Sequence, residues 1–378
     1  MTMTRLVVLA LVLGAGLGGA RAQETKAEFK PETKISGRVF ADLSSRSYET
    51  GGVETDDSGF GIDVKRFYLG VGHTFDPNWS ASLVLDIGDK GNKAGCKVDP
   101  IDVDGDETAD AIKCTASGGD NRRYDVFVKN AYVQYKWSDA AALRLGAASN
   151  PWISYAEELY GQRYIENTLI DRDRVKFGES ADWGLHFLGK ALDAKVNYAF
   201  SAINGLGYSD PKRTKTMDFE GRVGVQPIKG LNFGAGFYSG KRGRDLESKP
   251  AENTATRVNA LAAYVSDNFR VGVEWFAAKN WNSVDKIVTT DEEADGFSVY
   301  GRVRVAPKVE LFARYDDAKP DKDRLPDLEN TYVNGGVQYA FNKGLSAALV
   351  YKNEQVDTGT AATEIDNDEI GIFAVYNF

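Results

Sequence analysis

Several kinds of residue and segment are scarce in this chain of 378 residues. It has two cysteines and two histidines, and no long apolar stretch follows residue 22. The mean hydropathy of the whole chain is −0.38, and the part after residue 22 offers no membrane-spanning helix, which needs about 20 apolar residues. Positive charge is not in excess either: the formal net charge is −9, which argues against a nucleic-acid partner.

The shortage of histidine limits the enzyme classes that the sequence can support. His73 lies beside a predicted turn on the outward side of its strand, whereas His186 has inward parity with Asp182 nearby. The pattern places no serine or acid constellation around either ring that would make a nucleophile–base pair. The sequence therefore predicts a protein that is not an enzyme.

The N-terminus has the order of a secretory signal peptide. Arg5 supplies a positive charge, residues 6–17 form an apolar run, and Ala20-Arg21-Ala22 has the small-residue pattern of a cleavage site. The run is too short for a transmembrane anchor. Residues 1–22 are therefore predicted to be removed, which leaves residues 23–33 as a short periplasmic N-terminal segment.

Period-two alternation of apolar and polar residues recurs along the rest of the chain. Val133, Tyr135 and Trp137, for example, share one face of their segment, with polar residues on the other. This alternation predicts strands, not helices. Sixteen such runs are present, at residues 34–45, 60–76, 79–88, 124–137, 141–149, 181–190, 193–203, 217–226, 230–240, 254–266, 268–279, 294–305, 308–317, 330–341, 344–354 and 368–378.

The connections between these runs alternate in length. Short turns such as 76–78 and 138–140 alternate with long polar segments such as 89–123 and 150–180. An even strand number with this alternation is typical of bacterial outer-membrane barrels, and a soluble sandwich or propeller gives no reason for it. The predicted fold class is all-β: a 16-stranded antiparallel transmembrane β-barrel over residues 34–378, with short periplasmic turns and long extracellular loops.

Aromatic residues cluster beside the short turns, where a membrane barrel carries a girdle at the lipid headgroups. Trp79, Trp137 and Phe341 are examples, and Tyr376 and Phe378 end the chain. That aromatic ending resembles the signature read by the outer-membrane assembly machinery.

Sixteen strands enclose an aqueous lumen, so the inward-facing residues decide what the barrel does. If the apolar face of each strand meets lipid, the inward face leans basic. Rings of charge set ion preference in pores, although each arginine is equally well explained as a side chain paired across strands. The predicted pore-lining residues are Arg38, Arg66, Arg144, Lys195, Arg222, Arg270, Arg302, Arg304 and Arg314.

The connection 150–180 contains Trp152, Tyr155, Tyr160 and Tyr164, which are too many aromatic residues for a solvated loop. We expect it to fold into the lumen and narrow the channel. Its acidic residues would face the basic wall and set a transverse field, a picture that its arginines complicate. The predicted constriction residues are Glu157, Glu158, Arg163, Glu166, Asp171, Arg172, Asp173 and Arg174.

Two segments carry a family resemblance. Leu145-Gly146-Ala147-Ala148-Ser149-Asn150-Pro151-Trp152, which opens this third external loop, and Lys65-Arg66-Phe67-Tyr68-Leu69-Gly70-Val71 in the second strand resemble porins of the phosphate-selective O and P type. The resemblance covers the whole mature chain. The resemblance implies a trimer in which the third loop folds into each pore. The phosphate-selective members of that family use lysine clusters and an arginine ladder. Those lysines have no residue-by-residue match here.

The second external loop carries two further signals. Asp102, Asp104, Asp106 and Asp110 resemble the calcium loops of thrombospondin type 3 repeats, although a solvated acidic loop explains them slightly better. Cys96 and Cys114 bracket the segment and are predicted to form a disulfide, as expected in an exported protein. A structural calcium ion in this loop is thus the one cofactor that the sequence suggests.

These patterns predict an outer-membrane porin, a water-filled channel for passive diffusion of ions and small hydrophilic solutes with a phosphate-like anion bias. A plugged receptor needs about 22 strands and a plug, and residues 23–33 are too few to form one. The alternative is an adhesin or structural barrel that acts through its acidic extracellular loops. Expected partners are outer-membrane lipid and lipopolysaccharide, the assembly machinery, and further copies in a homotrimer.

Overall fold

The alternating strands close into a cylinder in the computed structural model. The structure describes the backbone of residues 29–89, 96–101, 111–116, 124–287 and 290–378, with side chains over these ranges except residues 89–124. The chain divides into two compact units, residues 1–30 and 31–378, and the cylinder belongs to the second. Of the first unit, the described residues 29 and 30 have no regular secondary structure.

Nineteen strands lie in the described ranges, all paired antiparallel, and sixteen of them form the closed wall. In chain order they are β1 (Glu32–Thr50), β2 (Val53–Glu54), β3 (Gly59–Thr74), β4 (Trp79–Asp89), β5 (Cys96–Ile101), β6 (Ala111–Ala116), β7 (Tyr124–Ser138), β8 (Ala141–Ser149), β9 (Ala181–Ala191), β10 (Val196–Ile203), β11 (Asp218–Ile228), β12 (Leu231–Gly240), β13 (Ala255–Val265), β14 (Phe269–Lys279), β15 (Glu293–Ala306), β16 (Val309–Lys319), β17 (Leu328–Ala340), β18 (Leu345–Thr358) and β19 (Ile365–Asn377). The other three are β2, a short ladder on β1, and the hairpin β5–β6 within the second external loop.

The prediction of a 16-stranded barrel is confirmed, with differences at strand ends. β1 and β19 keep pairing as far as Thr50 and Ile365, beyond the predicted limits, because polar residues continue the ladder after apolar alternation has ended. One predicted strand starts too early. Leu192, Asp193 and Ala194 all have positive φ and form a turn, so Lys195 lies exposed in that turn and not on the wall.

The two faces of the wall differ in polarity, as a membrane barrel requires. Leu349 and Ile370, with exposed fractions of 57% and 55%, represent the outward face, whereas Asp86 and Asp316 on the inward face are fully buried. No helix in the part of the chain that the structure describes is long and apolar enough to cross a membrane.

The barrel closes between β1 and β19. Thirteen residue pairs join these strands, from Arg38 with Asn377 to Thr50 with Ile365. The ring of Phe378 lies over Gly37, where a Cβ would stand 2.0 Å from a ring carbon, so only glycine fits there.

Two β-bulges interrupt the alternation near the middle of the wall. In β3, Arg66 pairs with Phe40 of β1 and Val64 pairs with the next residue, Ala41, so Lys65 between them is an extra residue. In β7 the register shifts opposite Val84 and Leu85 of β4, and Lys129 is the extra residue. A bulge turns an additional side chain to the same face as its neighbour. The bulges therefore add two lysines to the inner face.

The long connection after β8 contains helix α1 (Pro151–Tyr160) and a 3₁₀ turn (Leu169–Asp171). Pro151 begins the helix, and its ring fixes φ near the helical value; its missing N–H costs no hydrogen bond in the first turn. Gly161 ends the helix at φ +76°, a left-handed conformation that glycine adopts without strain.

Candidate functional site in the barrel lumen

The segment 150–180 lies against the inner wall. Trp152, Ile153 and Phe177 pack with Phe276 of β14 and with Trp281 in one buried apolar cluster. The rings of Phe177 and Phe276 are 4.9 Å apart between centroids. The cluster also includes inward-facing residues of β10, β12, β13, β15 and β16. This side of the lumen is therefore packed like the interior of a soluble domain.

Wall side chains take over the capping of α1. The N-cap residue makes no side-chain capping bond, and the backbone N–H of Trp152 donates instead to Glu220 at 2.9 Å. At the other end, Arg270 donates to the carbonyl oxygens of Glu158 and Leu159 at 3.0 and 2.8 Å. A carboxylate at the N-terminus and a guanidinium at the C-terminus both complement the helix dipole. The wall thus fixes the position and direction of α1.

Two more of the predicted pore-lining arginines hold the loop. Arg222 donates to the carbonyl of Pro151 at 3.0 Å, and Arg314 donates to that of Asn167 at 2.5 Å. Together with Arg270, they face inward as predicted, but the loop backbone satisfies part of their donor capacity. They therefore anchor the loop and do not line the open cavity.

Arg172 is the central connection between the loop and the far wall. It is 2% exposed, pairs with Asp316 at 3.0 Å and with Glu354, and donates to Asn330 at 2.7 Å. Its guanidinium also stacks 4.2 Å from the ring centroid of Tyr332. Removing one member of such a buried network would leave uncompensated charge, so the loop edge is held rigidly here.

A cavity of about 830 Å³ remains open between the loop, the external connections and the inner faces of β1, β3 and β17–β19. Charged side chains dominate its lining, as in a hydrated passage. Among the described residues, the basic ones outnumber the acidic ones. The basic lining residues are Arg46, Lys65, Arg66, Arg163, Arg172, Arg174, Lys176, Arg242, Arg244, Lys286, Arg324 and Lys352, and the acidic ones are Asp57, Asp63, Glu166, Asp173, Asp285, Asp321, Glu354 and Glu369.

The loop presents a more basic edge to this cavity than its composition suggests. Glu157 is paired with Arg163 at 2.7 Å, and Asp171 with Lys176 at 2.8 Å, so two of the predicted constriction carboxylates are already neutralised within the loop. Glu158 is exposed but does not line the cavity. The expected acidic loop facing a basic wall is therefore not the arrangement found. Four bases and two acids of the loop line the cavity: Arg163, Arg172, Arg174, Lys176, Glu166 and Asp173.

Through an ion pair, Glu166 connects the loop to charged residues of β18 and β19, which border the open cavity. It lies 3.6 Å from Lys352, which pairs with Glu369 at 3.2 Å. Burial would raise the pKa of Glu166, but Lys352, Lys65 and Arg172 together hold it well below its usual range. Glu166 is therefore ionised at any pH near neutrality.

The lysines at the two bulges were missed by a strict period-two interpretation. Lys65 lies 3.5 Å from Asp42 and 3.9 Å from Glu369. Lys129 lies 4.8 Å from the ring centroid of Tyr68, and no carboxylate is within ion-pair distance of it among the residues with described side chains. A signal was present in the sequence, because the outward apolar residues change parity around each lysine, at 60–64 against 67–71 and at 126–128 against 131–137.

The remaining predicted pore-lining residues all face inward and have polar partners. Arg302 and Arg304 share Glu310, at 3.1 and 3.0 Å. Arg66 pairs with Asp86 at 3.2 Å, Arg144 donates to Gln134 at 2.8 Å, and Arg38 donates to Asn377 at 2.7 Å. Of this set, Arg66 is the one that lines the open cavity.

The two histidines lie in different settings. Nδ1 of His186 is 2.8 Å from Oγ of Ser201 on β10, a cross-strand partner that sequence reasoning missed. Both residues are buried, and the carboxylate of Asp182 accepts backbone N–H groups of Gly205 and Gly207 instead of bonding to the imidazole. His73 lies at the turn end of β3, 2.7 Å from the hydroxyl of Thr33.

In the second external loop, the structure describes the backbone of the hairpin β5–β6. Asp102, Asp104, Asp106 and Asp110 lie outside the described residues. The backbones of β5 and β6 pair Cys114 with Val98 and Cys96 with Ala116, while their side chains are not described. The calcium site and the disulfide stay predictions. Within the described ranges, no group of three or more His, Cys, Asp or Glu residues is arranged to hold a metal ion.

Comparison with known proteins points to one family. A sequence model of the family described as Gram-negative porin matches residues 7–359. No curated protein sequence matches the chain. The three solved structures described next are each less than 25% identical to this chain, so their similarity shows the fold alone.

Three of these structures cover almost the whole chain. The outer-membrane channel DcaP of Acinetobacter baumannii has a TM-score of 0.61 and 12% identity, covering 93% of this chain and 99% of its own. The anion-selective porin of Comamonas acidovorans has a TM-score of 0.61 and 11% identity, covering 92% and 100%. OmpT of Vibrio cholerae has a TM-score of 0.58 and 14% identity, covering 94% and 100%.

Proposed function

Because the chain belongs to the Gram-negative porin family, and is therefore a solute channel of the outer membrane and not an enzyme, we propose that it conducts ions and small hydrophilic solutes by passive diffusion with a preference for anions. The observation that carries the proposal is the lining of the open cavity, where twelve Lys or Arg side chains stand against eight Asp or Glu among the described residues. Charges along a narrow water path set ion preference.

One of the two bulge lysines supports the anion preference. Lys65 is partly offset by Asp42 and Glu369, whereas Lys129 stands beside Tyr68 without an acidic partner among the residues with described side chains. Lys65 lines the open cavity and Lys129 does not, so the support comes from Lys65. A cation beside a water path attracts anions over about a Debye length, some 8 Å at physiological salt. Phosphate-like selectivity is part of the proposal. The family match is to Gram-negative porins in general, so kinship with the O and P type stays a prediction.

Reversal potentials across a planar bilayer in a potassium chloride gradient test this proposal. We expect a water-filled conductance whose reversal potential shows chloride preference. Lys65→Gln, which removes a cation from the cavity lining, should shift it toward cations. Lys343→Gln, in an exposed turn outside the cavity lining, is the control of equal charge. Folded protein without conductance would refute the channel, and a cation-selective wild type would refute the anion preference.

Maturation and assembly complete the proposal. We propose that residues 1–22 are removed on export, that the assembly machinery inserts the chain among outer-membrane lipid and lipopolysaccharide, and that it forms a homotrimer. OmpT of Vibrio cholerae, a structural neighbour, has been solved in a trimer form. A disulfide between Cys96 and Cys114 would close the second loop around a structural calcium site. Intact mass with and without reductant, and chemical cross-linking of the purified protein, test these points.

A further inference from the structure

A strained turn stands at the external rim of the cavity. Residues 241–244 follow β12, and the N–H of Arg244 donates to the carbonyl of Lys241 at 3.0 Å. The two central residues, Arg242 and Gly243, have φ of +50° and +61°. Positive φ at both central positions is the pattern of a type I′ turn, in which Asn-Gly is preferred. Arginine at the first central position is sterically disfavoured, and such outliers concentrate at functional sites.

A buried carboxylate holds this turn in its conformation. Asp218 is fully buried at the external end of β11 and accepts the N–H groups of Lys241 at 2.6 Å and Gly243 at 3.2 Å. The hydroxyl of Tyr238 donates to the same carboxylate at 2.5 Å. The residues on either side of Arg242 are thus both fixed to one rigid acceptor, which maintains the disfavoured backbone.

The turn presents a guanidinium to the cavity. Arg242 stacks 4.5 Å from the ring centroid of Trp281 and donates to the carbonyl of that residue at 2.7 Å. Its side chain lines the open cavity, and no carboxylate lies within ion-pair distance of it in the described part of the chain. Burial and the nearby Arg244 lower the pKa of Arg242 to about 10, so the group remains charged at neutral pH.

The neighbouring charges are also unbalanced. Asp285 pairs with both Arg244, at 3.1 Å, and Lys249, at 2.7 Å. Arg244, Asp285 and Lys286 line the cavity beside Arg242. Glu179 and Glu292 also act electrostatically on Arg242, but neither lines the cavity, so positive charge exceeds negative charge on the cavity side. A planar guanidinium held in a fixed direction can bind an oxyanion through two parallel hydrogen bonds.

We propose that Arg242, with Arg244 and Lys286 beside it, forms an oxyanion-binding site at the external mouth, which holds the sulfate, phosphate or carboxylate group of a solute before it enters the constriction. This inference rests on the proposed channel function. The site differs from the bulge lysines because it lies on external loops and depends on a backbone conformation set by Asp218.

Block of the chloride current by sulfate, added to each side of a planar bilayer of uncharged lipid, tests the site. We expect block from the external side, with an apparent affinity that falls about tenfold in Arg242→Asn, the loss expected for one good charged contact. The thermal stability of this variant should be equal or higher, because asparagine tolerates positive φ. Lys212→Asn, an equal charge loss on an exposed external residue outside the cavity lining, should change the affinity less than twofold.

Asp218→Asn separates a built site from diffuse electrostatic attraction. The substitution makes the rim more positive, so simple attraction would strengthen sulfate block, whereas loss of the fixed turn should weaken it. Wild-type affinity in Arg242→Asn, or stronger block in Asp218→Asn, would overturn the site while leaving the channel intact. Folded wild type without any conductance would instead overturn the channel proposal. If lipopolysaccharide in the external leaflet abolished the block, the assignment to free solutes would be wrong.

Discussion

The two sides of the lumen are built from the same strand pattern, but one is covered by the loop 150–180 and the other borders an open cavity. On the side of β10 to β16, the inward positions include Leu261, Ala263 and Phe276, and they are covered by the loop. On the side of β1, β3 and β17–β19, they include Lys65 and Lys352, and a cavity of about 830 Å³ stays open. The wall alone therefore does not determine the width of the passage. Its width depends on how much of the lumen the loop fills.

The largest expected effect is on the filled side. Trp152 is fully buried and its indole N–H donates to Glu274 at 2.8 Å, so Trp152→Ala should leave both a cavity and a buried acceptor without its donor. We expect the free energy of unfolding in detergent micelles to fall by about 3–5 kcal/mol, with a larger and noisier single-channel conductance. Trp275→Ala, which removes an outward-facing indole, is the control. Equal losses in the two variants would mean that the filled side is not a packed core.

A smaller effect is expected where the helix ends. Gly161→Ala places a side chain on a residue at φ +76° and brings its Cβ to 1.9 Å from Nη1 of Arg270, so the capping contact must shift. We expect a loss of about 1–2 kcal/mol in unfolding free energy and increased open-channel noise. Gly301→Ala, where the nearest atom is 3.7 Å away, should do neither. A quiet, fully stable Gly161→Ala channel would show that α1 is positioned by other contacts.

On the open side, charge should matter more than stability. Lys65→Gln removes one cation from Glu369, which keeps Lys352 at 3.2 Å, and from the buried Asp42 at 3.5 Å, to which glutamine can still donate a hydrogen bond. We therefore expect a loss of about 1 kcal/mol in unfolding free energy and a chloride-to-potassium permeability ratio lowered about twofold. Reversal potentials measure the second quantity. An unchanged ratio, or one that moved toward anions, would remove Lys65 from the ion path.

The smallest expected effect concerns acidification from pH 7 to pH 5. Burial opposes ionisation of Glu166, but Lys352, Lys65 and Arg172 lower its pKa in the folded state below the ordinary value of 4.5. A lowered pKa contributes stability that is complete above 4.5 and is lost only as the pH falls through the folded-state value. The difference in unfolding free energy between the wild type and Glu166→Gln should therefore be the same at pH 7 and pH 5. A difference that narrows over this range would show that Glu166 takes up a proton there.

The barrel could be predicted from the sequence because its signal is repeated sixteen times and each strand is regular. Inward and outward positions also followed, and Arg66, Arg302 and Arg304 face inward as parity requires. Parity states the direction of a side chain but not what covers it. Whether Arg270 meets water or the carbonyl of Leu159 depends on the path of the loop. The loop has no repeat from which that path could be predicted.

The charge of the constriction was less predictable for a related reason. Counting the acidic residues of the loop ignores their local partners, and Glu157 pairs with Arg163 six residues later. The bulges were detectable as changes of parity in β3 and β7, but assigning one apolar face to each whole strand passes over them. Cross-strand partners such as Ser201 for His186 require the register, which the sequence pattern does not fix to a single residue.

The seam between β1 and β19 has a consequence for how the molecule forms. Arg38 and Asn377 are hydrogen-bonded across it although 339 residues separate them along the chain. Closing so long a loop carries a large entropic cost before any pairing offsets it, so this step is slow compared with forming the hairpins between consecutive strands. Until it occurs, two strand edges expose unpaired backbone groups, which is the condition under which chains aggregate. The Gly37–Phe378 contact thus lies at the seam whose pairing converts an aggregation-prone open sheet into a closed barrel without exposed strand edges.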